Sequence, residues 1–515
     1  MKFCRRVFPV ALCLILLLPY AALADDSFNM NVDGFSTSYT YGYDYWGDVM
    51  EAPDAYRVSN VIDSTTLGLD ALGGKAMSKP QSLFVHGNDL YVVDTDNNRI
   101  IVLTRAGDVW SVKRIIDSIA GDSIGKLTAP YDVFVDKDEN IYVADNGAYR
   151  VVMMDKDQNF IREFVKPTDA TFDQNNNFLP KKLVADDSGR IYVLAANVNK
   201  GLIKFESDGT FTGFIGANEV TVSMGEYIWK RYFQTQAQRD QSAAFVPTEY
   251  ENLYIDKEGF IYATTTTFDE YDLKWDNAKP IRRLNSLGKD ILIKNDRYPP
   301  IGDLWWVEGD NNLYGPSRFT DITVLQDDLY VGLDRTRGRL FGYDGQGIML
   351  WAFGTRGSTN GSFSAAVSLE HMGTDLIVLD QLKNSITVFT TTEYGDLIYE
   401  AISTYQKGDY DESAVIWQEV MKLNSNYALA FRGIGRALLR QDKFKEAMDY
   451  FELAHDRENY GRAFKLYRKE WVERNVWWIV LILAVVLIVP LVIGRVKKAK
   501  WEVMMHEHGK VRKSV

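Results

Sequence analysis

The chain has 515 residues, 46% of them hydrophobic, which is enough for two or three domains with sizeable cores. Its formal charge is −12; the first 24 residues carry three basic side chains and the last 21 carry seven against two acidic, which leaves −20 for the stretch between. Such an acidic surface repels phosphate backbones and anionic polymers, which argues against a nucleic-acid partner.

Residues 1–24 start basic (Lys2, Arg5, Arg6), run apolar from Val7 to Leu18 and end in Ala22-Leu23-Ala24, the pattern of a secretory signal peptide cut before Asp25. Both cysteines, Cys4 and Cys13, lie inside it, so the rest of the chain has no thiol for a disulfide or a thiolate metal site. An exported region of this size without disulfides fits a bacterial envelope protein better than a eukaryotic surface protein. Residues 25–55 form an aromatic lead-in, with FSTSYTYGYDYW at Phe35–Trp46; such a cluster either folds back on the core or offers a binding surface.

From Tyr56 to Thr392 one phrase returns six times: DLYVVD at Asp89–Asp94, NIYVAD at Asn140–Asp145, RIYVLA at Arg190–Ala195, FIYATT at Phe260–Thr265, DLYVGL at Asp328–Leu333 and DLIVLD at Asp375–Asp380. Repetition at a period of about 50 residues marks a propeller or solenoid. A strand precedes each copy, entered through a proline or polar lead-in (Lys79-Pro80, Ala129-Pro130, Leu179-Pro180). Two more strands follow, the last one amphipathic (DILIK in the fourth repeat), with tight Gly/Asp/Asn turns between them. Four short antiparallel strands per repeat make a propeller blade. The sixth copy has no fourth strand of its own. Tyr56–Asp63 (YRVSNVID) echoes the fourth strand of the first blade, so it is expected to complete the last blade and remove the open edge. The expected fold is an all-β six-bladed propeller over 56–392, with 56–63 as the closing strand.

The run Tyr91–Ile100 (YVVDTDNNRI), its companion Tyr142–Arg150 (YVADNGAYR) and the lead-in Ala129–Val133 (APYDV) resemble the NHL repeat. The resemblance spans about 56–392, is strong in the first two blades and fades in the fourth and fifth. It implies that Asp94 with Arg99, and Asp145 with Arg150, brace neighbouring strands, and that the ring binds proteins or polymers. Two insertions interrupt the pattern. Ala217–Pro247 carries Trp229 and Tyr232, and Tyr298–Phe319 carries Trp305, Trp306 and Tyr314. Loops on propeller faces carry function, and clustered aromatics there can stack on sugars or grip a partner protein. These five are the candidate binding residues; a hydrophobic plug is the plain alternative.

At Glu393 the alternation stops, and 393–475 reads as helices. Ala401/Gly435, Gly408/Asp442, Tyr410/Phe444, Ser413/Ala447, Trp417/Phe451 and Val420/Ala454 are each 34 residues apart, small and large residues falling where paired helices interlock. The segment resembles the tetratricopeptide (TPR) repeat, which implies a small all-α docking stalk, with Gly461–Asn475 as its capping helix. Two such repeats are fewer than the three usually needed to stand alone. Residues 476–494 are an unbroken apolar run with Trp477 and Trp478 at one end, long enough for a transmembrane helix. The basic tail 495–515 then reads as cytoplasmic. The expected arrangement is a single-pass type I protein of a bacterial cell membrane, with the propeller outside.

Little in the chain carries catalytic chemistry. No nucleophile elbow, P-loop, H-E-x-x-H or C-x-x-C motif occurs. Only His86, His371 and His455 lie outside the tail, which argues against a His-rich metal site and so against a peptide-amidating lyase. A calcium lactonase of the gluconolactonase–regucalcin type needs a Glu/Asn/Asp set on the ring axis. Asp94, Asp145, Asn146, Asp380 and Asn384 are the pore-facing or structural candidates, and the first inner strand offers no matching glutamate. No catalytic residue, metal ligand or cofactor is assigned, and the chain is expected not to be an enzyme. The expected function is that of an extracytoplasmic, membrane-anchored binding or scaffold protein. Its propeller would recognise a protein or carbohydrate, and its stalk would dock to a membrane or envelope complex tied to transport or polysaccharide handling. The alternative is a pore-calcium lactonase.

Overall fold

The computed structural model describes residues 40–511 apart from 45–48, 71–73, 170, 173, 197, 199, 217–249, 269–277, 295–299, 304–315 and 327. Three strands precede the first blade: β1 (Thr40–Tyr43), β2 (Val49–Ala52) and β3 (Tyr56–Ile62). Blade one is β4 (Pro80–His86), β5 (Asp89–Asp94), β6 (Arg99–Ala106) and β7 (Val109–Ile116). Blade two is β8 (Pro130–Val135), β9 (Ile141–Asp145), β10 (Arg150–Met154) and β11 (Phe160–Phe164). Blade three is β12 (Leu179–Ala185), β13 (Ile191–Ala196), β14 (Leu202–Phe205) and β15 (Phe211–Ile215). Blade four has β16 (Tyr250–Ile255), β17 (Ile261–Thr265) and β18 (Ile281–Leu284). Blade five has β19 (Phe319–Val324), β20 (Tyr330–Asp334), β21 (Arg339–Tyr343) and β22 (Met349–Phe353), and blade six has β23 (Ala366–Met372), β24 (Asp375–Asp380) and β25 (Ser385–Thr391).

These six sheets form a closed ring. Each inner strand packs against the next, from β4 through β8, β12, β16, β19 and β23 and back to β4. Closure is sealed by β3, which pairs with β25 from Ile62 opposite Ile386 to Tyr56 opposite Thr391. The second strand of each blade is covered on both faces, so the repeated phrase is buried along nearly its whole length and reads as a continuous apolar run.

One strand departs from the sequence reading, and the lead-in takes one of the two courses that reading allowed. The fourth strand expected at DILIK is absent: Asp290 makes only a single bridge to Leu284, and Ile291 and Ile293 stay exposed. The aromatic lead-in enters the ring as a hairpin. β1 pairs with β2 and lies beside β22, which extends blade five to six strands. Tyr41 enters the blade-five core with Tyr262, Phe319, Phe341 and Tyr343. Its hydroxyl donates to the buried carboxylate of Asp303 at 2.8 Å, and the Tyr43 hydroxyl and the Arg339 guanidinium reach the same carboxylate. Burial alone would raise the Asp303 carboxyl, but Arg339 and the two hydroxyls outweigh it and hold it below the usual range.

The chain divides into two compact units, 1–399 and 400–515. Helix α1 (Glu393–Lys407) begins in the first and ends in the second; α2 (Tyr410–Leu423), α3 (Ala428–Arg440) and α4 (Phe444–Leu453) follow, each of these three packed on its successor. Glycines allow the close approach: a Cβ at Gly433 would lie 2.4 Å from Trp417, and one at Gly435 would lie 2.7 Å from Phe451. At the second turn Asp442 adopts a φ of 61°, the left-handed conformation that Gly408 takes at the first. The last helix, α5 (Arg457–Val511), is a single rod of 55 residues that contains the segment read as a cap, the apolar run and most of the tail. By length and composition α5 could cross a membrane.

Candidate ligand channel

All six inner strands begin with the same irregularity. A bulge follows Pro80, Pro130, Pro180, Tyr250, Phe319 and Ala366, so Ser82, Asp132, Lys182, Asn252, Asp321 and Ser368 take equivalent places around the ring. The ring of polar side chains stitches blades together. The Lys182 ammonium donates to Ser82 Oγ at 2.8 Å and to Asp132 Oδ1 at 3.2 Å, while Ser82 Oγ donates to Asp132 Oδ1 at 2.5 Å. Asp132 also accepts the Leu183 amide at 2.9 Å, and Asp321 accepts the Leu369 amide at 2.7 Å and the Ser368 hydroxyl at 2.8 Å. Ser368 accepts the Leu83 amide at 3.1 Å, which ties blade six to blade one.

Above this ring opens a cavity of about 350 Å³, lined by all six inner strands and within the size range of small-molecule sites. Phe84, Phe134 and Tyr254 supply an aromatic wall, the first two with ring centroids 4.9 Å apart. Glu370 and His371 of β23 complete it, and Asp186, Asp187, Asp256 and Lys257 stand on its lining from the turns. Burial pushes the Asp321 carboxyl up to about 6, with Lys182 opposing the shift. Burial raises the Glu370 carboxyl well above its usual range, and the charge of Asp321 adds to the effect. Burial would depress the Lys182 ammonium, but Asp132 and Asp321 more than offset it and leave it raised. The His371 ring is pulled down to about 4 by burial, with its Nδ1 2.7 Å from the Thr323 hydroxyl.

Asp94, Asp145 and Asp380 lie elsewhere, at the ends of the second strands. Each accepts a backbone amide from its blade's lead-in: Ser78 at 2.7 Å, Thr128 at 2.6 Å and Ser364 at 2.6 Å. Arg99 binds Asp94 at 2.7 Å, and Arg150 binds Asp145 at 3.1 Å together with Asp122 at 2.8 Å. Asn146 donates to the Pro180 carbonyl of the next blade at 3.0 Å, and Asn384 accepts the Lys79 amide across the closure at 2.9 Å. None of the five lines the channel. Trp229, Tyr232, Trp305, Trp306 and Tyr314 lie outside the described residues.

The channel groups went unrecognised in the sequence. Their signal was the second position after the lead-in proline in Pro80-Gln-Ser82, Pro130-Tyr-Asp132 and Pro180-Lys-Lys182, a polar place repeated among the blades. The first inner strand has no glutamate, but the sixth carries Glu370. The donor set does not fit calcium. Lys182 already pairs with Asp132 and sets a positive charge near Asp321, and among the described residues no group of three or more His, Cys, Asp or Glu is placed to hold a metal ion.

No family model and no curated protein matches this chain. Solved structures do resemble it. Virginiamycin B lyase from Staphylococcus aureus aligns at 11% identity with a TM-score of 0.38, covering 65% of this chain and 100% of that one. A protein proposed to be a gluconolactonase aligns at 10% identity and 0.38, covering 69% and 98%. A protein of unknown function from Bacteroides thetaiotaomicron aligns at 11% identity and 0.39, covering 70% and 92%. Similarity this distant carries no functional argument.

Proposed function

We propose that this chain is a membrane-anchored binding protein, whose propeller holds its ligand or partner outside the bilayer while α5 fixes it there. The observation that supports binding over catalysis is that Lys182, Asp132 and Asp321, the charged groups of the polar ring, are committed to one another, to serines and to backbone amides. The Lys182 ammonium is engaged by Ser82 and Asp132, and Asp321 by Ser368 and backbone amides. A general base must sit near neutral pKa: His371 at about 4 is a weak one, and Asp321, at about 6, already accepts hydrogen bonds from Ser368, Leu369 and Ile322 on its two oxygens. The helices after the ring would dock the propeller to a membrane or envelope complex, one that handles transport or polysaccharide. The 55-residue α5, with its exposed apolar stretch around Trp477 and Trp478, supports the anchoring half of the reading. Crosslinking the full-length protein in native membranes, purifying it and identifying its companions by mass spectrometry is the test. Recovery of one defined membrane complex is expected; a protein that is recovered alone under crosslinking would contradict the docking role.

A further inference from the structure

The channel holds two polar groups that its internal network leaves unused. Asn252, 1% exposed and on the cavity wall, accepts the Leu253 amide with its Oδ1 at 2.7 Å, which fixes the amide orientation and leaves Nδ2 with no partner. Glu370, also buried, receives only a long contact at 3.4 Å from the amide of its neighbour His371. Unmade hydrogen bonds are costly when buried, so both groups call for an occupant. The wall around them is aromatic and aliphatic, formed by Phe84, Phe134 and Tyr254 with Val184 and Ile255.

We infer that the central channel seats a neutral, hydroxyl-rich small molecule of about monosaccharide size, which lays an apolar face on the Phe84–Phe134–Tyr254 wall and hydrogen-bonds Asn252 and Glu370. This rests on the binding reading above and names its ligand class. A hydroxyl both donates and accepts, so one ligand satisfies the Asn252 donor and either form of the Glu370 carboxyl. An anion finds no free deep cation, because Lys182 is held by Ser82 and Asp132. A cation would need a free deep carboxylate, yet Asp132 is paired with Lys182, Asp321 accepts Ser368 and backbone amides, and burial disfavours the charged form of the Glu370 carboxyl. The cavity, about 350 Å³, stands at the lower end of the about 300–1,000 Å³ typical of small-molecule sites, which suits one sugar ring or a disaccharide end.

The test uses the full-length protein in detergent micelles and ligand-observed saturation-transfer NMR. The probes are glucose, galactose, mannose, xylose, N-acetylglucosamine and cellobiose, with glucosamine as the cation and glucuronate as the anion. At least one neutral sugar should bind and be recovered chemically unchanged. Asn252→Ala and the isosteric Asn252→Asp should each weaken it about tenfold, the effect of one hydrogen bond. Leu382→Ala, at a residue 68% exposed and remote from the channel, should leave binding as it was. Thermal melting of each variant separates lost binding from lost fold. Binding of glucosamine or glucuronate alone would overturn the ligand class and leave the binding reading standing. Conversion of a bound sugar would overturn the non-catalytic reading and leave the class standing. No binding by any probe, or sugar binding that ignores both Asn252 variants, would mean a channel filled by water and would sink the inference.

Discussion

Replacing Ile62 by alanine tests whether the N-terminal strand closes the ring. Ile62 is 2% exposed and packs with Leu67, Ile377, Leu379, Ile386 and Val388 between blades six and one. The change removes three carbons, about 2.4 kcal/mol at about 0.8 kcal/mol per buried methylene, and the cavity left behind adds to that. A loss of about 3 kcal/mol is therefore expected, inside the roughly 2–5 kcal/mol range for isoleucine-to-alanine changes in cores. Val58 is the control. It lies on the same strand but is 39% exposed, so Val58→Ala should stay within about 0.5 kcal/mol. Urea unfolding of the full-length protein in micelles, followed by tryptophan fluorescence, measures both. Equal and small effects at the two positions would refute the closure, because an unpaired N-terminal strand would feel neither change.

Three further outcomes follow from buried groups and close contacts. Asp321 has a carboxyl raised from 3.8 to about 6 in the fold by burial, so the folded state holds that proton more tightly. Its stabilising contribution is present at low pH and declines as pH rises from about 4 to about 6, by roughly 3 kcal/mol; Asp321→Asn should remove that decline from the stability–pH curve, and an unchanged slope would contradict the assignment. Asp303→Ala removes the carboxylate shared by Tyr41, Tyr43 and Arg339 and should cost about 3–5 kcal/mol, exposing the hairpin to limited proteolysis between Thr40 and Ala52; full protease resistance would argue against the latch. Gly435→Val drives a side chain into Phe451 and should destabilise the helical unit by about 1–3 kcal/mol, seen as an earlier loss of helical circular dichroism; an unshifted melt would mean the helices pack otherwise.

The ring was legible because its signal is local and repeated. The phrase around Tyr91, Tyr142 and Tyr330 stays apolar because both faces of the second strand are covered, and YRVSNVID carries the register of the strand it replaces. β1 was not legible: TYGY is only four residues long, and what holds it is Asp303, 262 residues away from Tyr41. The channel was hidden by its bulges. Each one shifts the inner strand by a residue, so Asp132 or Asn252 looks like an ordinary solvent-facing position of a half-buried strand. Asp94 and Asp145 stood out within a conspicuous repeat, as strand braces or as pore-facing carboxylates. In space they hold lead-in amides, a structural task that the same spacing serves equally well.

The most direct test of the central claim, a propeller held outside the cell membrane by α5, is protease accessibility in intact cells. The full-length protein would carry one epitope in an exposed propeller turn and another after Val515, and isolated membranes would be washed in alkali. The propeller epitope should be digested from outside, the tail epitope should survive until the cells are opened, and the intact protein should stay in the alkali-washed membrane. Release by alkali, or a propeller epitope protected until lysis, would contradict it.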